Sequence, residues 1–245
     1  GSAVFTIQDT SQDKFLGYHK LENLGIVQQT AAFETDSALI VNSGTWTLSQ
    51  DDARIGDDFQ TSHFINNSML LATGSGQARI EPYLTQNDWV QVEGSLVFGG
   101  GGEFNSGSNT SLIYLVPPPD FPAALANGSP SLEFESGHYH FHSGSYLNNS
   151  NPNGMILITQ GAQVLMEGTM TNSGITRVDN SSSLFLRAPM AQLGYFELDG
   201  GSTTTSGTME VRGGRWSSGY LGGEFPDSLM VEALSSDPNL PETAG

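Results

Sequence analysis

Three of the five histidines in this 245-residue chain stand at alternate positions of one short segment, SGHYHFHSG. Successive side chains of a β-strand point to opposite faces, so His138, His140 and His142 are predicted to share one face. Tyr139 and Phe141 then share the other face, as core residues would. Because neutral imidazole nitrogens are common zinc ligands, the histidine face is a predicted metal site.

The spacing of the histidines limits what one ion can bind. Alternate residues of a strand are about 6.6 Å apart, which puts the outer two histidines about 13 Å apart. Zinc–nitrogen bonds are only about 2.0–2.1 Å long, so a single ion can take at most two of the three imidazoles. A third ligand would have to come from a neighbouring strand, and the sequence does not identify it. The row can equally be an exposed, polar, pH-sensitive surface without a metal.

Acidic residues form a second group that could bind a metal ion or take part in catalysis. Two aspartate pairs lie close together in the chain: Asp51 and Asp52, then Asp57 and Asp58. Paired carboxylates hold calcium or serve as acid and base in glycoside hydrolysis. Arg54 and Arg79 are, however, the only basic residues between positions 21 and 176. A lyase site, which needs a basic residue to take a proton, would therefore have few candidates. We therefore predict no catalytic residues and no required cofactor, with calcium or zinc as the divalent cation that the chain could bind.

The overall charge restricts the partners of the chain. It has 26 acidic against 8 basic residues, a formal net charge of −18. Such a surface repels phosphate backbones and anionic lipids, so we expect no nucleic-acid partner. No apolar run approaches the ~20 residues of a spanning helix, so we expect no membrane insertion. The absence of cysteine excludes disulfides and favours a bacterial surface protein over a secreted eukaryotic one.

The elements that must position these groups are short β-strands. Short apolar runs recur at steps of 20 to 28 residues, beginning at Met69, Val90, Leu112, Leu132, Ile156 and Leu184. Each run is bounded by Gly, Asn or Ser, which is the pattern of brief strands joined by turns. A repeat of this length predicts an all-β solenoid, in which stacked coils bury one continuous apolar column. A β-sandwich also has many short strands and is the alternative fold.

Three stretches of sequence carry a family resemblance: VQVEGSLVFGGGGEFNSGS, VLMEGTMTNSGITRVDNSSSLFL and FELDGGSTTTSGTMEVRGGRW. They resemble the coils of pectin-lyase-like β-helices, especially autotransporter passengers and related bacterial surface proteins. The resemblance covers roughly residues 37–225 and implies a right-handed parallel β-helix with an adhesive or structural role. The Gly-His-Gly and Arg-x-Lys signatures of the polygalacturonase type are absent from this chain.

Three segments interrupt the repeat and suggest the domain organisation. They are a predicted N-terminal cap at 1–36, a proline-rich inserted loop at 116–130, and a flexible tail at 226–245, with the solenoid itself at 37–225. In the first segment, the apolar residues of DKFLGYHKLENLGI lie near one helical face, which predicts a cap of helix or irregular chain. The tail ends in LPETAG, which resembles the LPxT-G/A signal that sortases cleave.

The predicted function follows from the repetitive scaffold and from the small number of candidate chemical groups on it. We expect a non-catalytic extracellular or cell-surface module that acts as an adhesin, a binding domain or a structural element. A glycan or a host or cell-surface protein is the expected partner, with Trp46 and Phe121 as candidate ligand-binding residues. The alternative is a polysaccharide lyase or glycoside hydrolase built on the same β-helix scaffold.

Overall fold

A computed structural model describes the backbone of most of the chain. The described residues are 4–8, 15–49, 53–73, 76–105, 112–115, 130–187, 190–192, 195–205, 209–211, 215–222 and 229–231. These residues form strands and turns without a helix, so the all-β prediction is confirmed. Within these residues, no helix is long and apolar enough to cross a membrane.

The strands stack into a parallel β-solenoid with three faces. The first face is an eleven-stranded sheet of β1 (Val4–Ile7), β4 (Ile26–Gln29), β7 (Thr45–Leu48), β10 (Met69–Ala72), β13 (Trp89–Val92), β16 (Leu112–Leu115), β19 (Tyr146–Asn149), β22 (Thr169–Asn172), β25 (Met190–Gln192), β27 (Met209–Val211) and β29 (Leu229–Val231). The second face contains β2 (Phe15–Gly17), β5 (Phe33–Asp36), β8 (Arg54–Gly56), β11 (Gln77–Ile80), β14 (Ser95–Phe98), β17 (Ser131–Glu135), β20 (Met155–Thr159) and β23 (Ile175–Asp179).

The third face contains β3 (Lys20–Asn23), β6 (Leu39–Asn42), β9 (His63–Asn66), β12 (Tyr83–Gln86), β15 (Gly102–Phe104), β18 (His138–Phe141), β21 (Gln163–Met166) and β24 (Ser183–Leu186). Two longer strands, β26 (Tyr195–Thr205) and β28 (Arg215–Gly222), run through both the second and the third face. Strands pair with their counterparts one coil away, in parallel. A β-sandwich is built from antiparallel strands, so that alternative is wrong.

The core lies between the three faces and follows the alternation of the strands. Most four-residue strands from β6 onwards bury their second and fourth side chains. Aromatic rings from successive coils pack directly on one another: Phe104 and Phe141 are stacked with centroids 4.0 Å apart and an interplanar angle of 1°. Asparagines in the same interior form a polar ladder, in which the Asn42 side chain donates to Asn66 at 2.6 Å. The column therefore fixes the register of the outward side chains.

The N-terminal segment differs from its predicted form. Its described residues lie in strands β1 to β5 and the turns between them, where helix or irregular chain was predicted. Pairing with the next coil outweighs the local helical periodicity, and Phe15 and Leu24 are exposed instead of forming an apolar face. At the other end, β29 lies inside the predicted tail. The LPETAG sequence and, apart from Pro130, the proline-rich loop lie outside the described residues.

Candidate functional site

The histidine segment forms β18 and the turn that follows it. Tyr139 and Phe141 are buried, as their alternation with the histidines predicts. The Tyr139 hydroxyl donates to the backbone carbonyls of Phe98 and Glu135, at 2.5 and 3.0 Å, and burial raises its pKa. The strand is therefore anchored from inside, which leaves the histidines directed outward.

Neighbouring coils place a carboxylate on each side of the histidine strand. The register aligns His140 with Glu103 of β15 on one side and with Leu165 of β21 on the other. Glu167 follows β21, so it lies beside the end of the histidine strand. The two coils adjacent to the histidines thus supply the acidic residues that the sequence alone could not identify.

The closest group consists of two histidines and one glutamate. The Glu103 Oε2 atom lies 2.6 Å from His142 Nε2 and 3.5 Å from His140 Nδ1. One ligand atom from each residue lies within 4.8 Å of the other two, and the imidazole centroids are 3.9 Å apart. The three side chains are 29% to 39% exposed, so the group is open to solvent. We call Glu103, His140 and His142 the triad; His138 lies outside it.

Further residues hold the two carboxylates in place. The Tyr83 hydroxyl donates to Glu103 Oε1 at 3.1 Å, which turns the other oxygen towards the histidines. Burial and this hydrogen bond raise the pKa of Tyr83 to about 12. Glu167 Oε2 lies 3.1 Å from His140 Nε2, and Glu167 Oε1 accepts from Arg187 at 3.1 Å. These hydrogen bonds, from His140 first and Arg187 second, lower the pKa of Glu167.

A second charged cluster lies on the second face, around two arginines. Glu81 accepts from Arg54 and from Arg79, each at 2.7 Å, and Arg54 also pairs with Glu34 at 3.3 Å. Arg79 reaches across β14 to pair with Glu135 of β17. Burial acts to raise the pKa of Glu81, but hydrogen bonds from Arg54, the Asp57 amide and Arg79 outweigh it, and the pKa is lowered. An ionised carboxylate held by two guanidinium groups is a poor proton donor and a poor metal ligand.

Trp46 and Phe121 are the predicted ligand-binding residues. Trp46 is fully buried, and its indole nitrogen donates to Gln29 at 3.0 Å, so its predicted role as an exposed ligand-binding residue is wrong. The cause is the register of β7: Trp46 shares the inward face with Leu48, while the flanking threonines point outward. Phe121 lies outside the described residues.

The described aspartate pair, Asp57 and Asp58, places its two carboxylates in different surroundings. Asp57 is buried and accepts from the Ser62 amide at 2.7 Å, whereas Asp58 is exposed and pairs with Arg54 at 3.3 Å. Asp51 and Asp52 lie outside the described residues.

The first face has a different surface from the other two. The outward positions of β4, β7, β10, β13, β19 and β22 carry no charged residue. Met69 and Trp89 are register neighbours there, and Tyr146 follows in the same row two strands beyond Trp89. This face therefore presents apolar and aromatic side chains flanked by amides and hydroxyls.

Glu103 and Glu167 are the site residues that sequence reasoning missed. Each alternates with buried apolar neighbours, which indicates an outward position but not a neighbour in space. The register between coils would have been needed to predict which residues lie beside them. Compared with known proteins, the chain matches no family model, and no curated protein or solved structure shows significant similarity to it.

Proposed function

We propose that this chain is a β-solenoid surface module that binds a divalent transition-metal ion through the triad. The observation that carries the proposal is the convergence of one carboxylate oxygen and two imidazole nitrogens within 4.8 Å of one another. They come from two adjacent coils whose register is fixed by the core beneath them. A ligand set on such a rigid support loses little freedom when it binds an ion.

The distances suit a small four-coordinate ion. Bonds of about 2.0–2.2 Å at a tetrahedral angle place two ligand atoms about 3.3 Å apart. The Glu103 oxygen is already 2.6 and 3.5 Å from the two imidazole nitrogens, so rotations of side chains suffice to bind the ion. Three protein ligands leave the fourth position to water or an external ligand.

The donor atoms favour zinc over calcium. Calcium takes six to eight oxygen ligands, and the triad offers one carboxylate. Imidazole suits zinc, copper, nickel and related ions. Of the two cations considered from the sequence, zinc is therefore the one we propose.

Isothermal titration of the purified chain with zinc at neutral pH tests this proposal. We expect one ion per chain, with an affinity reduced at least tenfold in Glu103→Gln and in His142→Ala, because each removes one of three ligands. His138→Ala is the matched control, since it removes an exposed imidazole of the same strand and should leave the affinity unchanged. Equal binding by all four proteins, or equally tight binding of calcium, would contradict the proposal.

A second proposal concerns partners, and the uncharged outward rows of β4, β7, β10, β13, β19 and β22 on the first face support it. We propose that this face binds a neutral glycan outside the cell, as an adhesive module would. Trp89 and Tyr146 lie in one register row with one strand between them, so their Cα atoms are about 10 Å apart along the solenoid. Aromatic rings with adjacent hydroxyls and amides are a common lining of ligand sites. A surface protein is the other partner class, and a carbohydrate-active enzyme has less support because the acidic cluster of the second face is already ion-paired.

Electrophoresis in gels containing a neutral soluble polysaccharide tests the second proposal. Wild-type chain should be retarded, and Trp89→Ala should migrate as in a gel without polysaccharide. Tyr18→Ala is the control, because Tyr18 is 77% exposed but lies outside the first face. Unretarded wild type on a panel of neutral polysaccharides would reject this partner class, and shortening of the polysaccharide would favour the enzyme instead.

A further inference from the structure

We infer that Glu167, held by Arg187, is a positioning residue that selects the tautomer of His140 needed for metal binding. The inference rests on the proposed metal site, but part of its test needs no metal. His140 stands between two carboxylates: Nε2 lies 3.1 Å from Glu167 Oε2, and Nδ1 lies 3.5 Å from Glu103 Oε2. Of these two nitrogens, only Nδ1 faces Glu103, the carboxylate of the triad.

The chemistry of the two contacts assigns the proton. An ionised carboxylate can only accept, so the hydrogen bond between Glu167 and His140 requires a proton on Nε2. The neutral form of His140, which metal binding requires, carries one N–H, so in this form Nδ1 keeps its lone pair. That lone pair is on the side of Glu103, where the ion would lie. Glu167 thus directs His140 to bind through Nδ1.

Arg187 keeps Glu167 in the form and orientation that this role requires. The register places Phe141, Met166 and Leu186 opposite one another on three successive coils. The residues that follow them, His142, Glu167 and Arg187, are therefore neighbours along the solenoid. Arg187 donates to Glu167 Oε1 at 3.1 Å, which leaves Oε2 for His140. An exposed pair of this kind adds little stability by itself, so its contribution is to orientation.

The expected consequence is a loss of metal affinity when Glu167 is removed. Groups that orient a ligating histidine typically change metal affinity by about 10- to 100-fold when they are mutated. Without Glu167, His140 is free to protonate Nδ1, which turns a hydrogen rather than a lone pair towards the ion. We expect Glu167→Ala to weaken zinc binding at least tenfold, and Arg187→Ala to weaken it by a smaller factor.

Long-range proton–nitrogen NMR spectra of the metal-free protein test the tautomer directly. We expect His140 to be protonated at Nε2 in wild type and to become a mixture of tautomers in Glu167→Ala. Glu133→Ala is the matched control, since it removes a carboxylate of the same charge from the second face. His140 protonated at Nδ1 in the wild type, or an unchanged tautomer in Glu167→Ala, would overturn the inference.

Zinc titration of the same variants separates this inference from the proposed function. If wild type binds zinc and Glu167→Ala binds it equally well, the positioning role is wrong and the metal site stands. If wild type binds no zinc, the metal site is wrong, while the NMR spectra still decide whether Glu167 sets the tautomer. An affinity loss in Glu167→Ala that Glu133→Ala does not share supports the inference.

Discussion

The two polar clusters of this solenoid are built on the same scaffold but are completed in different ways. On the second face, Arg54 and Arg79 lie among carboxylates and occupy their oxygens. On the third face, the cluster beside Glu103 contains imidazoles instead of guanidinium groups. A guanidinium is a permanent cation with no lone pair to offer, whereas a neutral imidazole offers one.

This difference decides which cluster can take a ligand. The second-face cluster carries its own cations, so its carboxylates already have partners and its contribution is to stability. The third-face triad consists of one carboxylate and two imidazoles, with no guanidinium group among its members. The two clusters thus differ in the groups beside their carboxylates, guanidinium groups in one and imidazoles in the other.

The largest effect should come from breaking the ion-paired cluster at its centre. Glu81→Ala removes hydrogen bonds from two arginines and from the Asp57 amide. Charged hydrogen bonds are worth about 1.5–3 kcal/mol each, and both arginines keep other partners, so we expect a loss of roughly 2–3 kcal/mol in the free energy of unfolding.

Urea unfolding followed by circular dichroism measures this loss, and zinc affinity should stay at the wild-type value. Asp58→Ala is the matched control: it removes an exposed carboxylate from the rim of the same cluster and should cost less than about 0.5 kcal/mol. Equal effects of the two substitutions would show that the cluster does not stabilise the fold.

Zinc itself should stabilise the chain through the triad by a comparable amount. A ligand present at a hundred times its Kd raises the free energy of unfolding by about 2.7 kcal/mol. We expect this increase in wild type and in Asp58→Ala, measured as a rise in Tm, and no more than about half of it in His142→Ala at the same zinc concentration, because its site is at least tenfold weaker. A zinc-dependent rise that is undiminished in His142→Ala would place the ion elsewhere.

The effect of acid should be smaller and should involve the second face. The pKa of Glu81 is lower in the folded chain than in the unfolded one, so ionised Glu81 stabilises the fold above its unfolded pKa. This contribution is lost as the pH falls through the lowered folded-state pKa. We therefore expect Glu81→Gln to lose less stability than wild type between about pH 5 and pH 2, as measured by urea unfolding at each pH. Parallel curves would contradict this role for Glu81.

The smallest effect should be that of His138→Ala. His138 is exposed, precedes the other two histidines on β18, and lies outside the triad. We expect no measurable change in zinc affinity and a change in the free energy of unfolding within about 0.5 kcal/mol. A tenfold loss of affinity would show that the ion binds at the start of the strand instead.

Much of the fold and half of the candidate site could be predicted from local patterns. Alternation in SGHYHFHSG correctly assigned Tyr139 and Phe141 to the core. The limit of two histidines for one ion stays a prediction. The same alternation rule could have placed Trp46 in the core, because Trp46 and Leu48 are two residues apart and share the buried face. Local periodicity failed in the first coil, where pairing with the next coil overrides the helical pattern.

The acidic half of the site could not be predicted because it depends on register between coils. His142 and Glu103 are 39 positions apart, and His140 and Glu167 are 27 apart. Successive strands of the first face are offset by variable distances, because the turns between them differ in length. An error of one residue would direct Glu103 into the core. The pairing of strands in the structure therefore supplied the register that the sequence repeat does not contain.

X-ray absorption at the zinc edge tests the central claim most directly. The measurement reports the atoms bonded to zinc in the loaded, buffer-exchanged chain. We predict one retained ion with a four-coordinate shell of nitrogen and oxygen at about 2.0–2.1 Å, including the outer-shell scattering of two imidazoles. A shell of oxygen alone, a single imidazole, or no zinc retained after exchange would contradict the assignment of the triad as a metal site.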